Sequence, residues 1–270
     1  MSRTLRSTAL IAGLAAGTLL AIAGSAEAFT FKTNATGAGW NDTTSDIWLQ
    51  SIELEDGTVI DKFSLVSGYG VVKNDKHTGG NSGAASTDIG DTATTGTKIE
   101  APNGEQLVGN LNNLNLNNII DTEDSGSFEL DFYFDNAVDN LLIWERGINS
   151  ALEVWALNAD GETVGDAVTV DFRQLKKQYD VAAGYSINTK EIGGAQQVGS
   201  WGLTMADLGV EDVAIYGFRF SSEKGFNGPD WKIAGTNATR EGGPVDVPEP
   251  TMMLGLLTVG ALGFVARKRG

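Results

Sequence analysis

The chain of 270 residues has 35 glycines, five prolines, one histidine and no cysteine, and its formal net charge is −16. The lack of cysteine excludes a disulfide scaffold, thiolate metal centres and a cysteine nucleophile, and a single histidine cannot build a multi-histidine zinc site within one chain. The acidic excess argues against nucleic acid as a partner, because phosphate binding needs clustered Lys and Arg.

Residues 1–28 have the organisation of a secretory signal peptide. Two arginines open the segment, an uncharged apolar run follows, and the small residues Ala26 and Ala28 flank a single glutamate. This pattern predicts that signal peptidase cuts before Phe29 and that the rest of the chain is exported. A retained membrane helix is the alternative, but the short run and the cleavage site argue against it.

Residues 29–235 are predicted to form one all-β domain. Apolar and polar side chains alternate over 127–134, which is typical of a half-buried antiparallel strand, and the continuous apolar run in 139–145 indicates a more buried strand. Short strands separated by turn residues are typical of a β-sandwich or barrel, and the length suits a jelly roll with long loops. Further strands are predicted at 47–54, 59–66, 152–156, 167–172, 213–220 and 231–234.

Several segments interrupt this pattern. A long loop is predicted at 74–97, which is rich in Gly, Ser, Thr and Asp. Six asparagines in 110–118 predict either an Asn-ladder strand pair or a surface β-arc. One or two helical turns are expected within 171–179 and one within 204–208, and 236–247 is predicted to be a polar linker.

Two acidic groups predict a calcium site. Asp121, Glu123 and Asp124 cluster before a predicted strand, and Asn227 and Asp230 lie in the loop before the last strand. Hard cations need clustered oxygen ligands, and these residues supply carboxylate and amide oxygens. Neither group has EF-hand spacing, so ordinary solvated loops are the alternative.

A carbohydrate site is a second hypothesis. Such a site stacks an exposed aromatic ring on a sugar and bonds the hydroxyls through amide, carboxylate and guanidinium groups. A place in the core is the alternative for each tryptophan. The candidates are Trp40, Trp48, Trp201 and Trp231 for stacking, and Arg146 and Asn149 for hydrogen bonding.

An enzymatic role has weaker support. Glycoside hydrolysis needs two facing carboxylates, and Glu145 and Glu153 are predicted to lie on neighbouring strands near two tryptophans. Neither residue belongs to a recognisable catalytic motif, and acidic side chains commonly occupy the solvent face of a sheet. We therefore expect no catalysis.

The C-terminal segment 248–270 combines three features. Residues 251–266 form an uncharged apolar run, which as a helix would reach about 24 Å, slightly less than a hydrocarbon core. A transmembrane helix is therefore predicted there, with its basic tail on the cytoplasmic side. The run is preceded by Pro248, Glu249 and Pro250 and followed by Arg267, Lys268 and Arg269.

This order of features resembles the PEP-CTERM sorting signal that exosortases handle. The resemblance implies that Pro248, Glu249 and Pro250 are the recognition motif and that the basic tail stops transfer. It also implies removal of the tail by a membrane-embedded exosortase and delivery to the cell surface or extracellular matrix. It predicts sorting and leaves the activity of the exported domain open.

A second resemblance concerns the domain itself. The segment 206–234 is similar to the closing hairpin of many PEP-CTERM cargo domains, which look like galactose-binding jelly rolls. Residues 140–150 resemble a cyanobacterial set of exosortase-dependent surface proteins. The expected function is thus a structural or adhesive role at the cell surface or in exopolysaccharide, and a lectin-like carbohydrate-binding module is the alternative.

Overall fold

The computed structural model describes residues 28–37, 44–79, 85–94, 96–191 and 193–237. These residues form fifteen strands and two short helices, and the prediction of an all-β fold is confirmed. The strands are β1 (Phe31–Thr36), β2 (Trp48–Leu54), β3 (Val59–Ile60), β4 (Val66–Asn74), β5 (Ala85–Ile89), β6 (Thr97–Ile99), β7 (Ile119–Thr122), β8 (Phe128–Val138), β9 (Asn140–Arg146), β10 (Ala151–Leu157), β11 (Thr163–Asp171), β12 (Ala182–Ile187), β13 (Gln196–Thr204), β14 (Ile215–Ser222) and β15 (Asp230–Thr236). The helices are α1 (Gly104–Leu111) and α2 (Phe172–Leu175).

The described strands pair in three antiparallel sheets. A five-stranded sheet has the order β11-β10-β14-β8-β4, and a seven-stranded sheet has the order β12-β13-β9-β15-β7-β5-β6. A small third sheet has the order β1-β2-β3. The jelly-roll topology remains a prediction. The buried side chains of the two large sheets form one core, so these sheets pack on each other as a sandwich.

The main core lies between the two large sheets. Alternate residues of β8 point into it, from Phe128 to Phe134, as the period of two in the sequence predicts. They meet Trp231 of the opposite sheet, whose ring stacks on that of Phe220 with centroids 4.7 Å apart. This strand is longer than predicted, since it continues to Val138.

The seven-stranded sheet is covered on its other face as well. In β9, Leu141 and Ile143 belong to the main core, whereas Leu142 and Trp144 belong to a second core formed with the three-stranded sheet. The indole Nε1 of Trp144 donates a hydrogen bond to Oγ1 of Thr33 at 2.9 Å. Burial on both faces explains why β9 reads as a continuous apolar run, so the expectation of a more buried strand is confirmed.

The chain enters the domain through a clamp at Phe29. Its backbone N–H donates to the carbonyl of Gly202 at 3.0 Å, and its carbonyl accepts from the N–H of Gly202 at 2.8 Å. The preceding Ala28 N–H donates to Oδ1 of Asp207 at 2.7 Å. The ring of Phe29 lies over Gly202, where the lack of a side chain leaves room for it.

Two predicted segments are wrong in detail. The strand expected at 59–66 is divided, because β3 ends at Ile60 and β4 begins at Val66 and pairs in a different sheet. The loop expected at 74–97 contains β5, whose residues from Ala85 to Asp88 are all buried. Its Ser, Thr and Asp side chains have the composition of a loop, although the neighbouring elements bury this strand.

The asparagine-rich segment forms neither an Asn ladder nor a β-arc. It contains the end of α1, which Asn103 begins with a capping box, and a loop in which asparagine side chains bond nearby backbone groups. The buried Asn110 donates to the carbonyl of Ile119 at 2.6 Å. Lys232, which is also buried, donates to Oδ1 of Asn113 at 3.3 Å and to the Asn110 carbonyl at 3.4 Å.

The helical turn expected within 171–179 is confirmed as α2, and a hydrogen-bonded turn lies within 204–208. Within the described ranges, no helix has the length and apolarity to span a bilayer. Residues 1–27, which hold most of the predicted signal peptide including Ala26, lie outside the described residues, and so do most of the linker and the whole 248–270 segment.

The clamp predicts a cost for adding a methyl group. In Gly202→Ala the new Cβ would lie 2.3 Å from Cζ of Phe29, so the ring must leave its place and stability should fall by about 1–3 kcal/mol. The matched control is Gly109→Ala in α1, where no atom lies within 4 Å of the new Cβ and a gain of about 0.5–1 kcal/mol is expected. Urea unfolding measures both, and equal stability of the two variants would contradict the clamp.

Candidate functional site

An acidic cavity of about 460 Å³ lies at one end of the strands of the seven-stranded sheet. Loops that follow β7 and β9 and precede β13 and β15 form its walls. All five residues of the predicted calcium site line this one cavity, although the two groups are about a hundred positions apart in the chain. The lining residues are His77, Lys98, Glu100, Asp121, Thr122, Glu123, Asp124, Asn149, Glu191, Gln196, Asn227, Gly228 and Asp230.

Strand register brings the charged side chains together. Asp230 of β15 pairs with Arg146 of β9, and Trp231 pairs with Ile120 of β7, which places Asp121 beside Asp230. Successive strand residues face opposite sides of a sheet, so these charged groups point away from the main core. They lie on the face that the three-stranded sheet covers farther along the strands.

Asp230 and Arg146 form a buried ion pair. Oδ2 of Asp230 lies 3.3 Å from Nη1 of Arg146, and Nη2 of the arginine donates to the Gly194 carbonyl at 3.1 Å. Both side chains are buried. Burial raises the pKa of Asp230 to about 7, although the arginine acts in the opposite direction.

Asp121 is the least satisfied acid in the cavity. It is 3% exposed, and its Oδ2 has no hydrogen-bond partner. Burial raises the pKa of Asp121 well above its ordinary value, and repulsion from the Asp230 carboxylate adds to the shift. The folded protein therefore disfavours a bare charge at this position unless something neutralises it.

The opposite wall of the cavity carries its own charge network. Nζ of Lys98 lies 2.5 Å from carboxylate oxygens of both Glu100 and Glu191, and these hydrogen bonds raise the pKa of Lys98. His77 faces Glu100 at 3.7 Å and Glu123 at 3.9 Å. Lys98 and His77 are thus engaged with glutamates and do not pair with Asp121.

A turn with left-handed backbone angles borders the cavity beside Asp121. Asn227 has φ 65° and Gly228 has φ 46°, both in the left-handed region that disfavours ordinary side chains. A Cβ on Gly228 would lie 2.1 Å from the carbonyl of Thr122. This close approach holds the turn before β15 against the acidic loop after β7.

The arrangement can attract a cation or hydrogen-bond a polar ligand. In the part of the chain that the structure describes, no group of three or more His, Cys, Asp or Glu side chains is placed to hold a metal ion. A site of the zinc type, built from such side chains alone, therefore has no support among those residues. Calcium at this position stays a prediction.

The sequence-based carbohydrate site is not assembled. Trp231 is fully buried and Trp201 is 5% exposed, so neither indole can stack on a sugar from solvent, and these two predictions are wrong. They fill the core because large apolar rings gain most from burial there. Arg146 is buried in its ion pair and Asn149 lines the cavity, while Trp48 is 45% exposed and Trp40 lies outside the described residues.

The two glutamates of the enzyme hypothesis do not form a facing pair. Glu145 lies in β9 of the seven-stranded sheet and is buried, with its Oε1 accepting a hydrogen bond from Oγ of Ser150 at 2.5 Å. Glu153 lies in β10 of the five-stranded sheet and accepts from Oγ of Ser221 at 3.2 Å. The expectation that they occupy neighbouring strands is wrong, because the chain changes sheets between β9 and β10.

Sequence reasoning missed a polar and aromatic row on the outer face of the five-stranded sheet. Trp155 pairs in register with Arg219, which in turn pairs with Asp131. The guanidinium of Arg219 binds the carboxylate of Asp131 through two hydrogen bonds, of 2.7 and 2.9 Å. The alternation in β10 and β14 could have shown that Trp155 and Arg219 point outward, but only the strand order shows that they are neighbours.

Comparison with known protein families finds a match at the C-terminal end of the chain. Residues 246–269 match the family model described as the PEP-CTERM protein-sorting motif. The chain carries a PEP-CTERM sorting motif. The match contains the Pro-Glu-Pro triplet and the three basic residues Arg267, Lys268 and Arg269 that the sequence singled out.

The PEP-CTERM motif indicates export and processing by an exosortase, with a membrane-anchored precursor and a final location at the surface. It covers only the C-terminal end of the chain and therefore describes where the protein goes. No curated protein matches the chain. What the β domain does has to be inferred from its own surfaces.

The burial of Glu145 predicts a dependence of stability on pH. Desolvation raises the pKa of Glu145 to about 8 from 4.5, so the folded state binds this proton more tightly than the unfolded state does. The resulting stabilisation is complete below pH 4.5 and is lost as the pH rises through 8. Glu145→Gln should therefore gain stability relative to the parent over this range, by at most about 1.4 kcal/mol per pH unit.

Urea unfolding at pH 5, 6, 7 and 8 measures that difference. The control is Glu153→Gln, which removes the same charge from the partly exposed face of the other sheet. A stability difference between Glu145→Gln and the parent that does not change with pH would contradict the prediction.

Proposed function

We propose that this protein is an exosortase-sorted adhesive component of the cell surface or extracellular matrix, and that its β domain binds polysaccharide without cleaving it. The sorting motif supports the destination, since it indicates export to the surface. Signal peptidase acts at the other end of the chain in this proposal. The likeness of residues 140–150 to a cyanobacterial set of surface proteins is part of the same proposal.

The observation that carries the adhesive role is the row Trp155, Arg219 and Asp131 on the outer face of the five-stranded sheet. An indole face supplies an apolar platform for a sugar ring, and the partly exposed guanidinium of Arg219, which the buried carboxylate of Asp131 fixes, offers donors to its hydroxyls. A site spread over the neighbouring strands β10, β14 and β8 suits a long polymer better than a small molecule.

The charge of the chain restricts the polymer. A net charge of −16 repels anionic polysaccharides at low ionic strength, so the proposed partner is a neutral one. Contact through the face of a sheet would also leave both ends of the polysaccharide free to extend beyond the protein, as adhesion to a matrix requires.

The adhesive role predicts the effect of one truncation. Trp155→Ala should weaken binding to neutral exopolysaccharide about fivefold, because one aromatic contact is worth about 1 kcal/mol and a tenfold change corresponds to about 1.4 kcal/mol. The matched control is Trp48→Ala, which removes an exposed indole from the three-stranded sheet. Cosedimentation with the polymer measures binding, and thermal unfolding verifies that each variant is folded.

Loss of binding in Trp48→Ala instead of Trp155→Ala would contradict the assigned face. Hydrolysis of the polymer by the parent protein, abolished in Glu145→Gln, would contradict the non-catalytic role.

A lectin-like module is the second candidate, and the paired Arg219 and Asp131 favour it. Two hydrogen bonds fix the guanidinium plane, and fixed donors discriminate between sugars that differ in one hydroxyl. A glycan array separates the two functions. Binding to one sugar that Arg219→Lys abolishes indicates a lectin, whereas equal binding to many glucans indicates general adhesion.

The sorting proposal predicts the ends of the mature protein. Mass spectrometry of the protein from its own cells should show a chain that begins at Phe29 and lacks the apolar run 251–266. A chain that keeps Met1 and Gly270 would contradict processing at both ends.

A further inference from the structure

The acidic cavity contains a buried charge that its protein neighbours leave unsatisfied. Asp121 is 97% buried, it lines the cavity, and its Oδ2 accepts no hydrogen bond. Burying a carboxylate without a partner costs several kcal/mol, so folded proteins rarely keep one without a counterion or a proton. This oxygen therefore needs either a proton or a counterion.

Two other buried carboxylates nearby have hydrogen-bond partners. Asp230 accepts from Arg146 and from the N–H of Thr122, each at 3.3 Å. The buried Asp88 accepts the backbone N–H groups of Lys190 and Glu191, both at 3.2 Å. Six carboxylates among the described residues line the cavity, against one lysine and one histidine.

We propose that a hard divalent cation of the calcium type binds in the acidic cavity, held by the carboxylates of Asp121 and Asp230 and completed by neutral oxygens and water. Neutral oxygens are available in the same cavity, because Asn227 and Thr122 also line it and the close approach of Gly228 to Thr122 holds the two loops together. This inference does not depend on polysaccharide binding, since Trp155 and Arg219 belong to the other large sheet.

The ligand set favours calcium over other metals. Calcium accepts six to eight oxygens, including amides, carbonyls and water, in flexible geometry, whereas magnesium needs a small octahedral site and zinc prefers His and Cys. A site with two carboxylates and neutral oxygens is compatible with the finding that no three acidic or histidine side chains converge among the described residues. A cavity of about 460 Å³ also leaves room for the water that such an ion retains.

The test is a titration of the full chain in detergent micelles, after treatment with a chelator, with calcium chloride and in parallel with magnesium chloride. Isothermal calorimetry should show one site for calcium, and saturating calcium should raise the melting temperature by about 3 °C or more. Magnesium should bind at least about tenfold more weakly.

Asp121→Asn removes the proposed ligand charge and keeps the shape of the side chain. Its calcium affinity should fall at least about tenfold, while its melting temperature without calcium should equal or exceed that of the parent because a buried charge has been removed. The matched control is Asp135→Asn, which removes an exposed carboxylate of β8 outside the cavity and should leave calcium binding unchanged.

A second variant keeps the test decisive if Asp121→Asn does not fold. Asn227→Gly removes an amide oxygen from the cavity and suits the left-handed φ of 65° at that position. It should fold and bind calcium several-fold more weakly. The proposal is overturned if the parent shows neither heat of binding nor a thermal shift, or if both cavity variants bind calcium as the parent does.

Discussion

The structure depends on one constraint, which is that the central strands β9 and β15 are covered on both faces. Trp231 and Ile143 pack towards the five-stranded sheet, and Trp144 packs towards the three-stranded sheet. Apolar residues satisfy this double burial in the middle of the strands. Where this cover is complete, a charged residue on these strands must be neutralised inside the protein, since neither face is open to water.

That constraint explains the charged groups of the interior. Arg146 and Asp230 pair across β9 and β15, and Lys232 directs its ammonium group at carbonyl and amide oxygens at the end of α1. Asp121 on the next strand has no such arrangement for its Oδ2. The acidic cavity thus lies where these strands are no longer covered on both faces. An excess of carboxylates over cationic side chains remains there.

Local patterns predicted the strands well, and they predicted the site only in part. The alternation in β8 and the apolar run in β9 each identify a strand because one residue after another reports which face is buried. Oxygen-rich loops at Asp121 and Asp230 pointed to one site, and the structure brings them together. Trp201 and Trp231 have no local sequence feature that distinguishes a core indole from an exposed one. The pairing of Trp155 with Arg219 depends on strand order, which brings together residues 64 positions apart. The buried strand β5 was missed because its Ser, Thr and Asp side chains imitate a loop.

The clamp at Phe29 has a consequence for the order of events during export. A protease cleft takes its substrate as free, extended backbone, whereas the amide and carbonyl of Phe29 are both engaged by Gly202 in the finished domain. The same backbone groups cannot serve both partners at once. In the proposed processing, a cut at the bond before this residue therefore has to come before Phe29 pairs with β13, and the amino group that the cut liberates would then be held by the carbonyl of Gly202.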